Sequence, residues 1–83
     1  MTDGFRKDTF TYDIVAYIGT LSVRKGADGT EWAREINIVS WNGHPAKVDI
    51  REWNQSHTRM SKGITLTDDE AKRMYELLKE RYE

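Results

Sequence analysis

The sequence predicts an α+β fold: a four-stranded antiparallel, curved sheet followed by one C-terminal amphipathic helix, in the order ββββα. Three observations carry this expectation. Runs rich in β-branched and aromatic residues, separated by Gly-containing turns, fill most of residues 10–66. An Asn42-Gly43 step joins two of those runs. Thr67-Asp68-Asp69-Glu70 then opens a stretch of helical periodicity. Alternation with a period of two marks a strand, and Asn-Gly is the strongest two-residue hairpin signal.

Residues 1–9 show no periodicity and are expected to form a flexible lead, leaving 10–83 as a single domain. The first strand is read over Phe10–Val23, rich in Tyr, Ile, Val and Thr. Tyr12, Ile14, Ala16 and Ile18 share one parity, and Val15, Tyr17, Leu21 and Val23 the other. The apolar parity changes near Gly19, which points to a bulge or bend there. Arg24 to Thr30, with an Asp28-Gly29 step, is a reversing loop.

The second strand spans Glu31–Trp41, with Ile36 and Ile38 on one face and Val39 and Trp41 on the other. After the Asn42-Gly43 turn, Pro45 suits a strand start because it has no N–H to donate. The third strand runs to about Trp53, and Asn54–Ser61 is a polar loop. Lys62–Leu66 is a short fourth strand, with Ile64 and Leu66 facing the core. Thr67 and Glu70 form a capping box. Asp68 and Asp69 suit the positive end of the helix dipole, and Lys79 and Arg81 the negative end. Ala71, Met74, Tyr75, Leu78 and Tyr82 make one helical stripe.

Size sets further bounds. A chain of 83 residues makes one small domain with a marginal core, and there is no cysteine to cross-link it. Packing alone or self-association must stabilise it, which favours a homodimer. No targeting signal is recognisable, and the apolar runs fall far short of a membrane span, so a cytoplasmic, nucleoid-associated location is expected. The net charge is −1, but it is unevenly spread. Leu21–Lys62 holds seven Lys/Arg against five Asp/Glu, while Thr67–Glu83 holds four against six.

The segment Trp41–Trp53 carries the functional expectation. In its strand Val48 and Ile50 point one way, and Lys47, Asp49, Arg51 and Trp53 the other. A single helix covers one sheet face, so the second stays open, and the open one is expected to carry Lys47, Arg51, Trp41 and Trp53. Exposed indoles beside cations suit single-stranded nucleic acid: cations for the backbone, rings for unstacked bases. Trp32 shares the parity of Ile36 and Ile38, leaving it open between core and ligand. Arg24 and Lys25 are either a solvated edge or ligand contacts. Asp49 and Glu52 would repel phosphate, and Asp49 is expected to orient a neighbouring cation through an ion pair.

Nothing points to an enzyme. There is no P-loop, dinucleotide motif or cysteine nucleophile, and Asp68, Asp69 and Glu70 are better read as helix capping than as a catalytic cluster. His44 and His57 lack metal-ligand spacing, so neither metal nor cofactor is expected.

The stretch Val48-Asp-Ile-Arg-Glu-Trp53, a polar loop, then Lys62-Gly-Ile-Thr-Leu-Thr-Asp-Asp-Glu70 and a helix resembles the family of the transcriptional coactivator positive cofactor four. The Ser40-Trp-Asn-Gly turn with Pro45-Ala-Lys47 is most similar to its bacterial YdbC-like branch. The resemblance covers about residues 10–82. It implies a homodimer, built partly through the helix at Met74, Tyr75 and Leu78, that binds single-stranded DNA or melted duplex with little sequence preference. It implies contacts at Trp41, Arg51, Trp53 and Lys62, and basic contacts from the strand holding Arg34. With Arg24, Lys25, Trp32 and Lys47 these make the expected nucleic-acid site. The Ser- and Lys-rich N-terminal tail of the eukaryotic members is not expected here, and Trp53-Asn54 stands where relatives carry two aromatic rings. A protein-interaction module on the same face and a single-stranded RNA binder are the rival readings.

Overall fold

The computed structural model describes residues 10–83. The expected flexible lead, 1–9, lies outside them. The elements are β1 (Tyr12–Lys25), β2 (Glu31–Trp41), β3 (Lys47–Asn54), β4 (Ile64–Leu66) and α1 (Asp68–Tyr82). The strands form one open antiparallel sheet in the order β1-β2-β3-β4. The ββββα order is as expected, with β1 displaced toward the C-terminus and β4 shorter than read.

Local chemistry sets each junction. Asn42 and Gly43 take φ of 50° and 77°, and the His44 N–H donates to Trp41 O at 2.9 Å, closing the turn. Positive φ at both central residues is what a tight turn of this kind needs, but the β2–β3 ladder closes only at Val39 and Lys47, so the turn lies within a longer connection than a two-residue hairpin. Asn42 also ties down the start of β1: its Oδ1 accepts from the Thr11 N–H, and its own N–H donates to Thr11 O, both at 2.8 Å. At the helix, Thr67 Oγ1 accepts from the Glu70 N–H at 3.1 Å and Glu70 Oε1 accepts from the Thr67 N–H at 2.9 Å. The capping box is complete.

Strand β1 is more irregular than its parity suggested. Its register against β2 shifts between Ile14 and Ala16, Tyr17 and Gly19, and Thr20 and Ser22. Val15, Ile18 and Leu21 are therefore extra residues, and the expected break near Gly19 is one of three. Each bulge bends the strand and adds twist, which curves this edge of the sheet.

Residues directly opposite in an antiparallel pair share a face. Ile36 opposes Ile50, Ile38 opposes Val48, and Arg34 opposes Glu52. We term this the isoleucine face. Asn37 opposes Asp49, Glu35 opposes Arg51, Ala33 opposes Trp53, and Tyr12 opposes Trp41. That is the tryptophan face. The strand parities read from sequence hold on β2 and β3.

Burial reverses the expected roles of the two faces. Val39 and Trp53 are fully buried, as are Asn37 and Asp49, and all four lie on the tryptophan face. Ile36, Ile38, Val48 and Ile50 are only half-buried. The helix is the reason: it touches the sheet only at β3 and β4, and no residue of α1 is buried. The loop after β3 meanwhile returns to the tryptophan face, where Met60 bridges to Trp53 and the His57 ring lies 5.5 Å from the indole. Of the two β4 residues expected in the core, Leu66 is buried and Ile64 is 53% exposed.

Gly63 is required by packing. A Cβ there would sit 2.3 Å from both Ile50 O and Arg51 Cβ, so the chain entering β4 lies directly against β3. Gly63→Ala is expected to destabilise the fold by about 1–3 kcal/mol through overpacking. Urea unfolding would measure it, and an unchanged midpoint would contradict the close approach.

Candidate nucleic-acid interface

Odd-numbered residues of β2 and β3 place an aromatic cluster on the tryptophan face. The Trp41 and Trp53 rings are nearly parallel, 6.4 Å apart at 9°. Tyr12 tilts against both, at 5.8 and 5.4 Å, and Phe10 lies 6.0 Å from Trp41. Offset and tilted rings at these distances attract through their quadrupoles. The Arg51 guanidinium lies over Trp41, 4.6 Å from the ring centre.

Two buried carboxylates organise this face. Arg51 Nε and Nη2 donate to Asp49 Oδ2 and Oδ1 at 2.7 and 2.8 Å, and Thr65 Oγ1 donates to Oδ1 at 2.8 Å. Asp49 thus orients Arg51 by an ion pair, as its position beside the cations suggested. Glu35 accepts from Asn37 Nδ2 at 3.0 Å, and its Oε1 lies 2.9 Å from His57 Nε2. Tyr12 OH donates to His57 O at 2.6 Å, so the loop is held from two strands. His57 occupies the left-handed region, φ 59°, to make these contacts.

The nine residues expected in one site divide between the two faces. Trp41, Lys47, Arg51 and Trp53 share the tryptophan face, and Lys25 alternates onto it at the far end of β1. Trp41 is half-buried and Lys47 and Lys25 are exposed. Trp53 corrects an expectation: its ring was read as exposed for stacking, yet it has no accessible surface. Tyr12, Trp41 and His57 surround it, so it serves as the floor under Trp41 rather than as a ring open to a base.

Arg24, Trp32 and Arg34 lie on the isoleucine face instead. Trp32 is half-buried, with the Arg24 and Arg59 guanidinium groups 5.8 and 5.4 Å from its ring centre. Arg24 Nε and Nη2 donate to Glu52 Oε2 and Oε1 at 2.7 and 2.8 Å, and Arg34 Nη2 lies 3.7 Å from Oε2. A 210 Å³ recess beside this cluster is lined by Arg34, Glu52, Lys62 and Gly63. Lys62 is exposed. On α1, Met74 is half-buried while Tyr75 and Leu78 are 62% and 48% exposed.

Glu35, Asn37, His57, Phe10, Met60 and Thr65 were missed as contributors. Glu35 and Asn37 share the parity of Trp41, a signal that was available. His57, Met60 and Thr65 reach the face only through the path of the loop and β4, which no periodicity records.

Glu52 gives a pH dependence. Its hydrogen bonds from Arg24 hold its carboxyl below the ordinary 4.5, against a smaller opposing effect of burial. A depressed folded-state pKa contributes stability that is present above the unfolded value and lost as pH falls through the folded one. Acid should therefore weaken the fold below about pH 4.5, and Glu52→Gln should flatten that decline in a Tm-against-pH series. An unaltered decline would sever the link between Glu52 and acid sensitivity.

Comparison with known proteins agrees with this architecture. The family model described as Transcriptional Coactivator p15 (PC4) matches residues 29–77, from the end of the first loop into the helix. An uncharacterized protein of Treponema pallidum (strain Nichols) is 40% identical over 75 residues, covering 90% of this chain and 84% of that protein. The family match spans β2 to α1, which includes Asp49, Arg51, Gly63 and the capping box. The chain belongs to the Transcriptional Coactivator p15 (PC4) family, whose members have a nucleic-acid-binding, coactivator-type role.

Proposed function

We propose that the chain binds single-stranded DNA with little sequence preference, as a homodimer and without enzymatic activity, in support of transcription, replication or repair. One observation carries the reading. The half-exposed Trp41 ring sits on a rigid aromatic floor, capped by Arg51, on the same face as the exposed Lys47 and Lys25. An unpaired base can extend the stack that Arg51 and Trp41 begin, and cations along the same face follow the backbone. Arg24, Arg34 and Lys62 on the isoleucine face extend the positive surface around Glu52. Trp32, with guanidinium groups 5.8 and 5.4 Å from its ring centre, contributes as their support.

The homodimer rests on what a single chain leaves uncovered. Among the described residues, Val39, Trp53 and Leu66 are the buried apolar side chains. Val15, Ile18, Leu21, Ile64, Tyr75, Leu77, Leu78 and Tyr82 are each about half exposed or more. Monomers rarely tolerate so much apolar surface beside so small a core. A second copy covering the apolar middle of the isoleucine face and the Tyr75 and Leu78 side of α1, with the charged end at Arg24 and Arg34 left open, would supply the missing core.

Trp41→Ala is expected to weaken oligo-dT binding by about 1–3 kcal/mol while leaving the fold intact, and Lys47→Gln to reduce the log–log salt slope by about one. Fluorescence titrations at two salt concentrations measure both. Binding that ignores salt would favour a protein-docking surface instead. Leu78→Asp should shift the species in sedimentation velocity from dimer to monomer, or to an unfolded chain, and an unchanged dimer would place the interface elsewhere.

A further inference from the structure

The loop after β3 sets a sulfur against the guanidinium that caps Trp41. The Asn54 N–H donates to Arg59 O at 3.1 Å and the Ser61 N–H donates to Glu52 O at 3.0 Å, so Met60 is pinned between two contacts to β3. Met60 also bridges to Trp53. Arg51 Nη1 donates to Met60 Sδ at 3.7 Å and to Ser61 O at 3.4 Å. The other two nitrogens of that guanidinium are held by Asp49. The thioether is therefore fixed beside a cation that cannot turn away from it.

A thioether is a weak hydrogen-bond acceptor. One added oxygen changes its chemistry, because a sulfoxide is polar where the thioether was apolar. Met60 is open to that change. It is half-buried and lines a recess of 220 Å³ with Phe10, Trp41, Arg51 and Thr65. A peroxide, little larger than the ~30 Å³ share of a water molecule, fits this space with room to spare. A sulfur carries two lone pairs, so the contact with Nη1 leaves one for attack. Met74 is half-buried as well, but it lies on α1, where the proposed dimer would cover it.

We propose that Met60 is a redox modification site: a peroxide converts it to the sulfoxide, and the change weakens nucleic-acid binding on the tryptophan face. The sulfur lone pair attacks one peroxide oxygen, an S–O bond forms and the O–O bond breaks. Sulfur is oxidised by two electrons and the peroxide is reduced. The departing hydroxide takes the proton of the transferred oxygen and leaves as water. Arg51 Nη1 then donates to a negatively polarised oxygen in place of a weak sulfur contact. The apolar wall beside Trp41 becomes polar, and the guanidinium is held by one more strong acceptor. The effect on binding rests on the single-stranded DNA reading, whereas the modification itself does not.

The test treats the full chain with dilute hydrogen peroxide and follows oxygen uptake at Met60 and Met74 by peptide mass mapping. In the folded chain Met60 is expected to react about fivefold faster than Met74, and in urea the two rates should converge. Protein oxidised at Met60 should bind oligo-dT about fivefold more weakly than untreated protein, and methionine sulfoxide reductases should restore the affinity. Met60→Leu keeps the volume and removes the sulfur, so it should bind like untreated protein and lose nothing on treatment. Equal rates at the two methionines in the folded chain overturn the site. Unchanged affinity after oxidation at Met60, or the same loss in treated Met60→Leu, overturns its effect on binding. If untreated protein binds no oligo-dT, the nucleic-acid reading fails and takes that effect with it, while the two oxidation rates still decide the modification.

Discussion

The tryptophan face depends on one buried carboxylate. Asp49 has no accessible surface and is paired through hydrogen bonds from Arg51 and Thr65. Removing either member of such a pair typically costs about 3–5 kcal/mol, because the other is left charged and unpaired in the interior. The pair also sets geometry. Fixing two of the guanidinium nitrogens fixes its plane, which lies on Trp41, which in turn lies parallel to Trp53. Thr65 brings β4 into the same network, and Gly63 allows the approach of the chain that carries it. Charge, stacking and strand pairing therefore support one another.

The second carboxylate of this face works on the loop. Glu35 holds Asn37 within β2 and meets His57 from the loop, while Tyr12 of β1 holds the His57 carbonyl. Three segments distant in sequence converge on Trp53. The loop is short of apolar residues, so polar contacts rather than burial decide where it lies. Its closure over Trp53 turns the face expected to be most open into the best-buried part of the chain, and leaves Trp41 as the accessible ring.

The isoleucine face shows the opposite balance. Its side chains are apolar in the middle and charged at one end, where Arg24 and Arg34 surround Glu52. Within a single chain it stays half-covered, because the helix begins at the far edge of the sheet and meets only β3 and β4. The exposed bulge residues of β1 and the exposed stripe of α1 belong to the same deficit of cover. A domain with so few buried apolar side chains gains most from whatever covers these surfaces.

Sequence alone determined the features that act over a few residues. The Asn42-Gly43 turn follows from the cost of positive φ, the Thr67–Glu70 capping box from unpaired helix amides, and the two faces of β2 and β3 from the strand period. The Asp49–Arg51 pair was legible for the same reason, since two residues on one strand face cannot avoid each other. Only the tertiary structure decided which face is covered. That outcome depends on how far the helix reaches across the sheet and where the 55–61 loop returns, and neither has a period. It buried Trp53, and it set the three bulges of β1 and with them the face that Arg24 takes, because pairing register and loop path are settled by contacts between residues far apart in the chain.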